Sequence, residues 1–159
     1  MKAAVWYGQK DVRVEDREPK AIKDNEVQVK VSWAGICGTD LHEYLEGPIF
    51  ISTDQPDPLL GQTAPVTLGH EFSGVVENVG KDVSRFKKGD RVVVNPTVSR
   101  REKPENVDLY DGYSFIGLGS DGAFAEFTNA PETNVYHLPD NVSAREGALV
   151  EPCLLYTSP

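Results

Sequence analysis

The sequence predicts a mainly β protein, most simply a partly closed β-barrel with short helices. Residues 26–33 alternate strictly as Glu-Val-Gln-Val-Lys-Val-Ser-Trp, the period-two pattern of a half-buried strand. Short apolar, β-branched runs recur along the chain, with 14 glycines and 11 prolines punctuating them into many brief strands. Helical signals are confined to residues 39–45 and to the chain after Ser143, and both are short.

Taken in order, residues 2–7 and 12–16 form two strands around a turn at Gly8, Gln9 and Lys10, and residues 26–33 continue a β-meander. The stretch 39–45 forms a short helix in which Thr39 and His42 share a face, and Gly47-Pro48 ends it. Residues 52–65, broken by Pro56, Pro58, Gly61 and Pro65, form an irregular surface loop of the length that covers a site. An apolar strand then opens at Gly69 and runs to a turn at Gly80-Lys81-Asp82, and residues 91–94 make another strand, which Asn95-Pro96 stops. Residues 97–112 read as a solvated excursion. Residues 113–118 are apolar and aromatic, and 123–128 and 134–138 are two further short strands. Ser143 caps a final helix, with Glu146 three residues on completing a capping box.

A chain of 159 residues with 39% hydrophobic residues suits one domain, or one domain and the start of another. Sixteen basic against 25 acidic residues give a net charge of −9, without the basic stripe that a phosphate backbone demands, so nucleic acid is not an expected partner. The apolar N-terminal run breaks off at Gly8, too early for a signal sequence or a membrane span, and no membrane association is expected. Two cysteines far apart, in a chain that needs no staples, point to a reducing compartment, the cytoplasm.

Gly69-His70-Glu71-Phe72-Ser73-Gly74 carries the chemistry. A His and a Glu stand at the mouth of a strand, with glycines on both sides that let backbone bend around whatever the two side chains hold. Upstream, Gly35-Ile36-Cys37-Gly38-Thr39-Asp40-Leu41-His42 frames a cysteine in the same way, and Cys37 and His70 become candidate partners at a metal. The third histidine, His137, sits in a short strand and reads as structural. Gly117-Leu118-Gly119-Ser120-Asp121-Gly122 matches the G-x-G-x-x-G pattern of dinucleotide sites, with Asp140 beyond it. It is nevertheless read as a turn, because the alternating residues after it meet Pro131 before a helix could form to receive a pyrophosphate.

Together with Gly89-Asp90-Arg91-Val92 and Gly122-Ala123-Phe124-Ala125-Glu126-Phe127, these motifs make the chain resemble the zinc-dependent medium-chain alcohol and polyol dehydrogenases, from Met1 to about Pro152. The resemblance is greatest to the 2,3-butanediol dehydrogenase branch, with sorbitol and threonine dehydrogenases as neighbours. It implies a GroES-like catalytic domain over residues 1–152, and an NAD(H)-binding Rossmann domain that this chain lacks, so no cofactor-binding residue is expected here. It implies one catalytic zinc held by Cys37, His70 and Glu151, with Glu71 as the acidic neighbour; either glutamate could be the third ligand. Thr39 matches the family's proton-passing hydroxyl and His42 its terminal base. The implied reaction interconverts a secondary alcohol or vicinal diol, 2,3-butanediol, and its ketone, acetoin, in a full-length protein that is a homo-oligomer. The isolated fragment would be inactive.

Three departures qualify the resemblance. Residues 97–116 hold none of the four cysteines that commonly bind a second, structural zinc, so packing of Tyr110, Tyr113, Phe115 and Ile116 on the barrel should hold that excursion. No βαβ series follows. The end of the chain, 153–159, does not resemble the Ala- and Val-rich helix of the family and reads as a truncated or non-native tail, so Cys153 is not a candidate ligand. The missing cofactor domain keeps a reading of another class open: a non-catalytic GroES-like barrel used for binding or assembly.

Overall fold

The computed structural model describes residues 1–99 and 112–157, with the side chains of 154–157 left aside. Strands β1 (Lys2–Gly8) and β2 (Asp11–Asp16) form an antiparallel hairpin, and the two-residue β4 (Val66–Thr67) pairs with the other edge of β1. A five-stranded antiparallel sheet holds β3 (Glu26–Gly35) at its heart, between β5 (Glu71–Val79) and β9 (Phe127–Pro131). Strands β6 (Arg91–Val94) and β10 (Val135–His137) extend it beyond β5. A third, two-stranded unit joins β7 (Thr97–Ser99) to β8 (Tyr113–Phe115). The helices are α1 (Gly38–Glu46), the single-turn α2 (Ala144–Gly147) and α3 (Val150–Thr157).

Alternation makes the main core. Val27 and Val29 of β3 are fully buried against Phe72 and Val76 of β5 and Val92 and Val94 of β6, while Lys30 faces water. A second core gathers Trp6, Ile51, Val66, Leu68 and Leu118 under the three-stranded sheet. The alternation does not persist to the end of β3. An extra residue, Ser32, sits opposite the Gly74–Ser73 step of β5, and this bulge turns Trp33 outward to 52% exposure while Ala34 packs on the core. Beyond the bulge, Gly35 lies opposite Glu71.

Two expected elements differ from those observed. The strand expected over 123–128 begins at Phe127, because residues 123–126 cross between the sheets instead. Ala123 and Phe124 donate N–H bonds to Gly69 and Leu68, and the Phe124 and Glu126 carbonyls accept from Ala4 and Val31. The excursion expected over 97–112 starts as β7, so its base is a strand pair; its remainder, with Tyr110, lies outside the described residues. At the C-terminal end, α3 runs through the expected boundary at residue 152. The capping box of α2 is in place: the Ser143 and Glu146 amides each donate to the other's side chain, at 2.8 and 3.2 Å.

Candidate metal centre

The centre is assembled where three elements begin or end. Cys37 is the N-cap of α1, extended at φ −81° and ψ 158°, and its N–H donates to Asp40 Oδ2 at 3.0 Å. Asp40 thereby locks the turn that presents the thiol. Glu71 opens β5 opposite Gly35, and a Cβ on Gly35 would lie 2.2 Å from Glu71 Oε2 and push the carboxylate from its place.

His70 is seated by the Gly69 turn. Gly69 adopts φ +97°, where a side chain is strained, and a Cβ on it would meet the Phe124 ring at 2.5 Å. The backbone of Gly69 is in turn gripped by the G-x-G-x-x-G segment: a Cβ on Gly117 would approach Gly69 O to 2.5 Å and one on Gly122 to 2.2 Å. Those glycines form a turn, as the sequence reading required, and serve close backbone packing.

Cys37, His70 and Glu71 come together, with one ligand atom from each lying within 4.8 Å of the others. His70 and Glu71 are 4% and 6% exposed and Cys37 is half-buried, so two of the three donors are hidden from water. Among the described residues, Asp40 Oδ1 and His70 Nδ1 are buried without a hydrogen-bond partner; they face each other at 3.7 Å, too far for a bond. An unanswered buried polar group costs about 1–3 kcal/mol, so the centre holds polar capacity that the protein alone does not satisfy. Burial pushes the Asp40 carboxyl above the usual carboxylate range, with His70 and the amides of Cys37 and Gly69 pulling the other way. Thiol, imidazole and carboxylate are the donor types that zinc takes, and a divalent cation would be the natural counter-charge here.

The remaining expected residues lie around this trio. Thr39 is half-buried, with its hydroxyl 3.7 Å from Cys37 Sγ, and His42 is exposed one turn along α1. Glu151, in the first turn of α3, is not part of the trio. It is half-buried, and burial pushes its carboxyl above the usual range, with His70 pulling down and Glu71 and Asp40 adding to the rise. Glu151 also lines a cavity of about 330 Å³ with Val93, Val94, Asn95, Tyr136 and Val150. His137 lies elsewhere: its ring sits on Phe86 at 4.6 Å, and Nε2–H donates to the Arg85 carbonyl at 3.1 Å. The sequence reading gave Asp40 no role. Its signal was an acidic residue at the third position after a helix cap, the place where a carboxylate reaches back to the cap amide.

The chain is similar to known proteins. The chain is 50% identical over 153 residues to (R,R)-butanediol dehydrogenase of Bacillus subtilis (strain 168), covering 96% of this chain and 44% of the relative. It is 43% identical to (R,R)-butanediol dehydrogenase of Neisseria gonorrhoeae (strain ATCC 700825 / FA 1090), covering 96% and 45%. The crystal structure of 2R,3R-butanediol dehydrogenase from Bacillus subtilis superposes with a TM-score of 0.89 at 49% identity, over 95% of this chain and 44% of that one. The chain thus spans less than half the length of these relatives. Residues 23–140, which include Cys37, His70 and Glu71, match the model of the alcohol dehydrogenase GroES-like domain, and the chain belongs to that family.

Proposed function

We propose that the chain is the catalytic-domain part of a zinc-dependent, nicotinamide-linked oxidoreductase that interconverts a secondary alcohol or vicinal diol, 2,3-butanediol, and its ketone, acetoin. The observation that carries this reading is the convergence of Cys37, His70 and Glu71 in one buried site of a domain of this family. The identity to two (R,R)-butanediol dehydrogenases supports the substrate class.

Cys37, His70 and Glu71, with Glu151 beside them, would hold one zinc ion. Bound zinc would supply Lewis acidity toward the alcohol oxygen, and NAD(H), carried by a domain beyond these 159 residues, the hydride exchange. The chain's own residues do the rest. Asp40 fixes the cap that aims the Cys37 thiol and faces the imidazole of His70, a carboxylate–histidine pairing that orients a metal ligand. The Thr39 hydroxyl, beside Cys37, accepts the alcohol proton as it gives up its own, and His42, exposed on the same helix, takes the released proton and yields it to water. The walls around His70 and Glu71 keep bulk water out.

A cytoplasmic homo-oligomer is proposed for the whole protein; no helix among the described residues is long and apolar enough to cross a membrane. The test is a chain extended through its cofactor domain, assayed with (2R,3R)-butanediol, sorbitol and threonine against NAD and NADP. Butanediol oxidation with NAD, at one zinc per subunit, is expected. Preference for sorbitol or threonine would move the protein to a neighbouring branch, and a metal-free, inactive chain would leave a binding module.

A further inference from the structure

Glu151 is half-buried in the first turn of α3, which packs against β5, the strand that Glu71 opens, yet that helix follows a separate, short segment. That segment is strapped to the sheet at several points. The Ser73 hydroxyl donates to the carbonyl of Ala144 in the first turn of α2, and Ser73 is fully buried. Gly147, at the end of α2, is buried with no space to spare: a Cβ there would sit 3.0 Å from both Ser73 Cβ and a Leu138 methyl. The Arg91 guanidinium donates to the carbonyls of Asp140, at 3.3 Å, and Val142, and Arg145 stacks over Trp33 at 5.6 Å. Both α2 and α3 pack against β5. On that strand Ser73 lies two residues from Glu71, on the same face by strand periodicity.

We propose that the docking of α2 on β5 through Ser73 and Gly147 is what brings Glu151 to the Cys37–His70–Glu71 centre as a further protein donor, making Ser73 and Gly147 positioning residues of the metal site. This rests on the reading of Glu151 as a donor. A metal ligand is only as good as the groups that hold it, and losing an outer support typically weakens binding 10- to 100-fold. Ser73 and Gly147 act on α2 from opposite sides of one contact. The hydroxyl draws the turn onto the strand, and the missing Cβ lets it come close.

The test uses the 159-residue chain titrated with cobalt(II), which stands in for zinc and reports its donors through its visible ligand-field bands. Glu151→Gln is expected to alter the bands and weaken binding. Ser73→Ala and Gly147→Val are expected to change the bands in the same sense and to weaken binding about 10-fold. Adding Ser73→Ala to Glu151→Gln should cost nothing further, the non-additivity expected of a shared effect. If Glu151→Gln changes nothing, the donor role of Glu151 fails, and the positioning role with it. If Glu151→Gln acts but the other two variants match the wild type, the donor role survives and the positioning role is overturned. Glu43→Gln, which loosens the far end of α1, is the control for stability alone. Equal weakening in that variant would show that Ser73 and Gly147 act through stability, and would likewise overturn the proposal.

Discussion

Two carboxylates sit one turn apart on α1, equally hidden from water, and the structure treats them in opposite ways. Glu43 is 0% exposed, and its carboxylate accepts from the amides of Ile49, Phe50 and Ile51, while its carbonyl receives Trp6 Nε1–H at 3.0 Å. Asp40 is 3% exposed and has one oxygen on the Cys37 amide and the other on nothing, with an imidazole nitrogen 3.7 Å away. A buried carboxylate whose acceptors are all answered by backbone has finished its work as a staple. One left open beside a thiol and an imidazole belongs to a centre that expects another charge. Burial alone does not separate the two cases; the partners do.

The sharpest way to break this comparison is at the thiol. Cys37→Ala should lose zinc altogether, by more than the ~100-fold that outer supports contribute, whereas Cys153→Ala should keep it. Metal content after dialysis decides, and equal zinc in wild type and Cys37→Ala would sink the assignment of the centre. Next, Asp40→Asn should weaken zinc by about 10- to 100-fold without unfolding the chain, measured by competition with a chromophoric chelator. Unchanged affinity would put Asp40 with Glu43 among the staples.

Glu43→Gln should do the reverse. It removes part of the amide-binding capacity under residues 49–51 and should lower stability in urea by about 1–3 kcal/mol, with zinc affinity unaltered. A third carboxylate extends the comparison with the smallest effect. Burial pushes Asp121 up, but Lys20, paired at 2.7 Å, with the Thr67 amide and Gln62, pulls it further down, so its folded pKa lies below the ordinary 3.8. Its contribution is therefore present above the unfolded pKa and lost as pH falls through the folded one. Asp121→Asn should lower stability at neutrality, where the contribution is fully present, and flatten the fall on acidification below about pH 4, so that the two proteins converge in acid.

Much of this was legible in the residues. Period-two alternation located β3, and glycine framing singled out Cys37 and His70 before any fold was available. Local capping chemistry set α2, because Ser143 and Glu146 need only each other. What could not be read was set by distant partners. The bulge at Ser32 that turns Trp33 outward depends on where β5 pairs, and the late start of β9 depends on residues 123–126 bonding to backbone at residues 2, 4, 31, 68 and 69. The different fates of Asp40 and Glu43 were illegible for the same reason. Both stand on one short helix, and what separates them comes from outside it: the loop at residues 49–51 answers Glu43 with amides, while the Gly69 turn only sets His70 beside Asp40.

The grip of Gly117 and Gly122 on Gly69 also bears on the order of events during synthesis. The turn that seats His70 is completed by backbone lying far along the chain, so β3 and β5 alone, though already joined, cannot fix the imidazole. Closing so long a loop costs entropy before any contact repays it, which places this step late in folding. A nascent chain must therefore expose residues through Phe124 before it can capture an ion tightly, and metal capture becomes a report that the Gly69 turn has been closed.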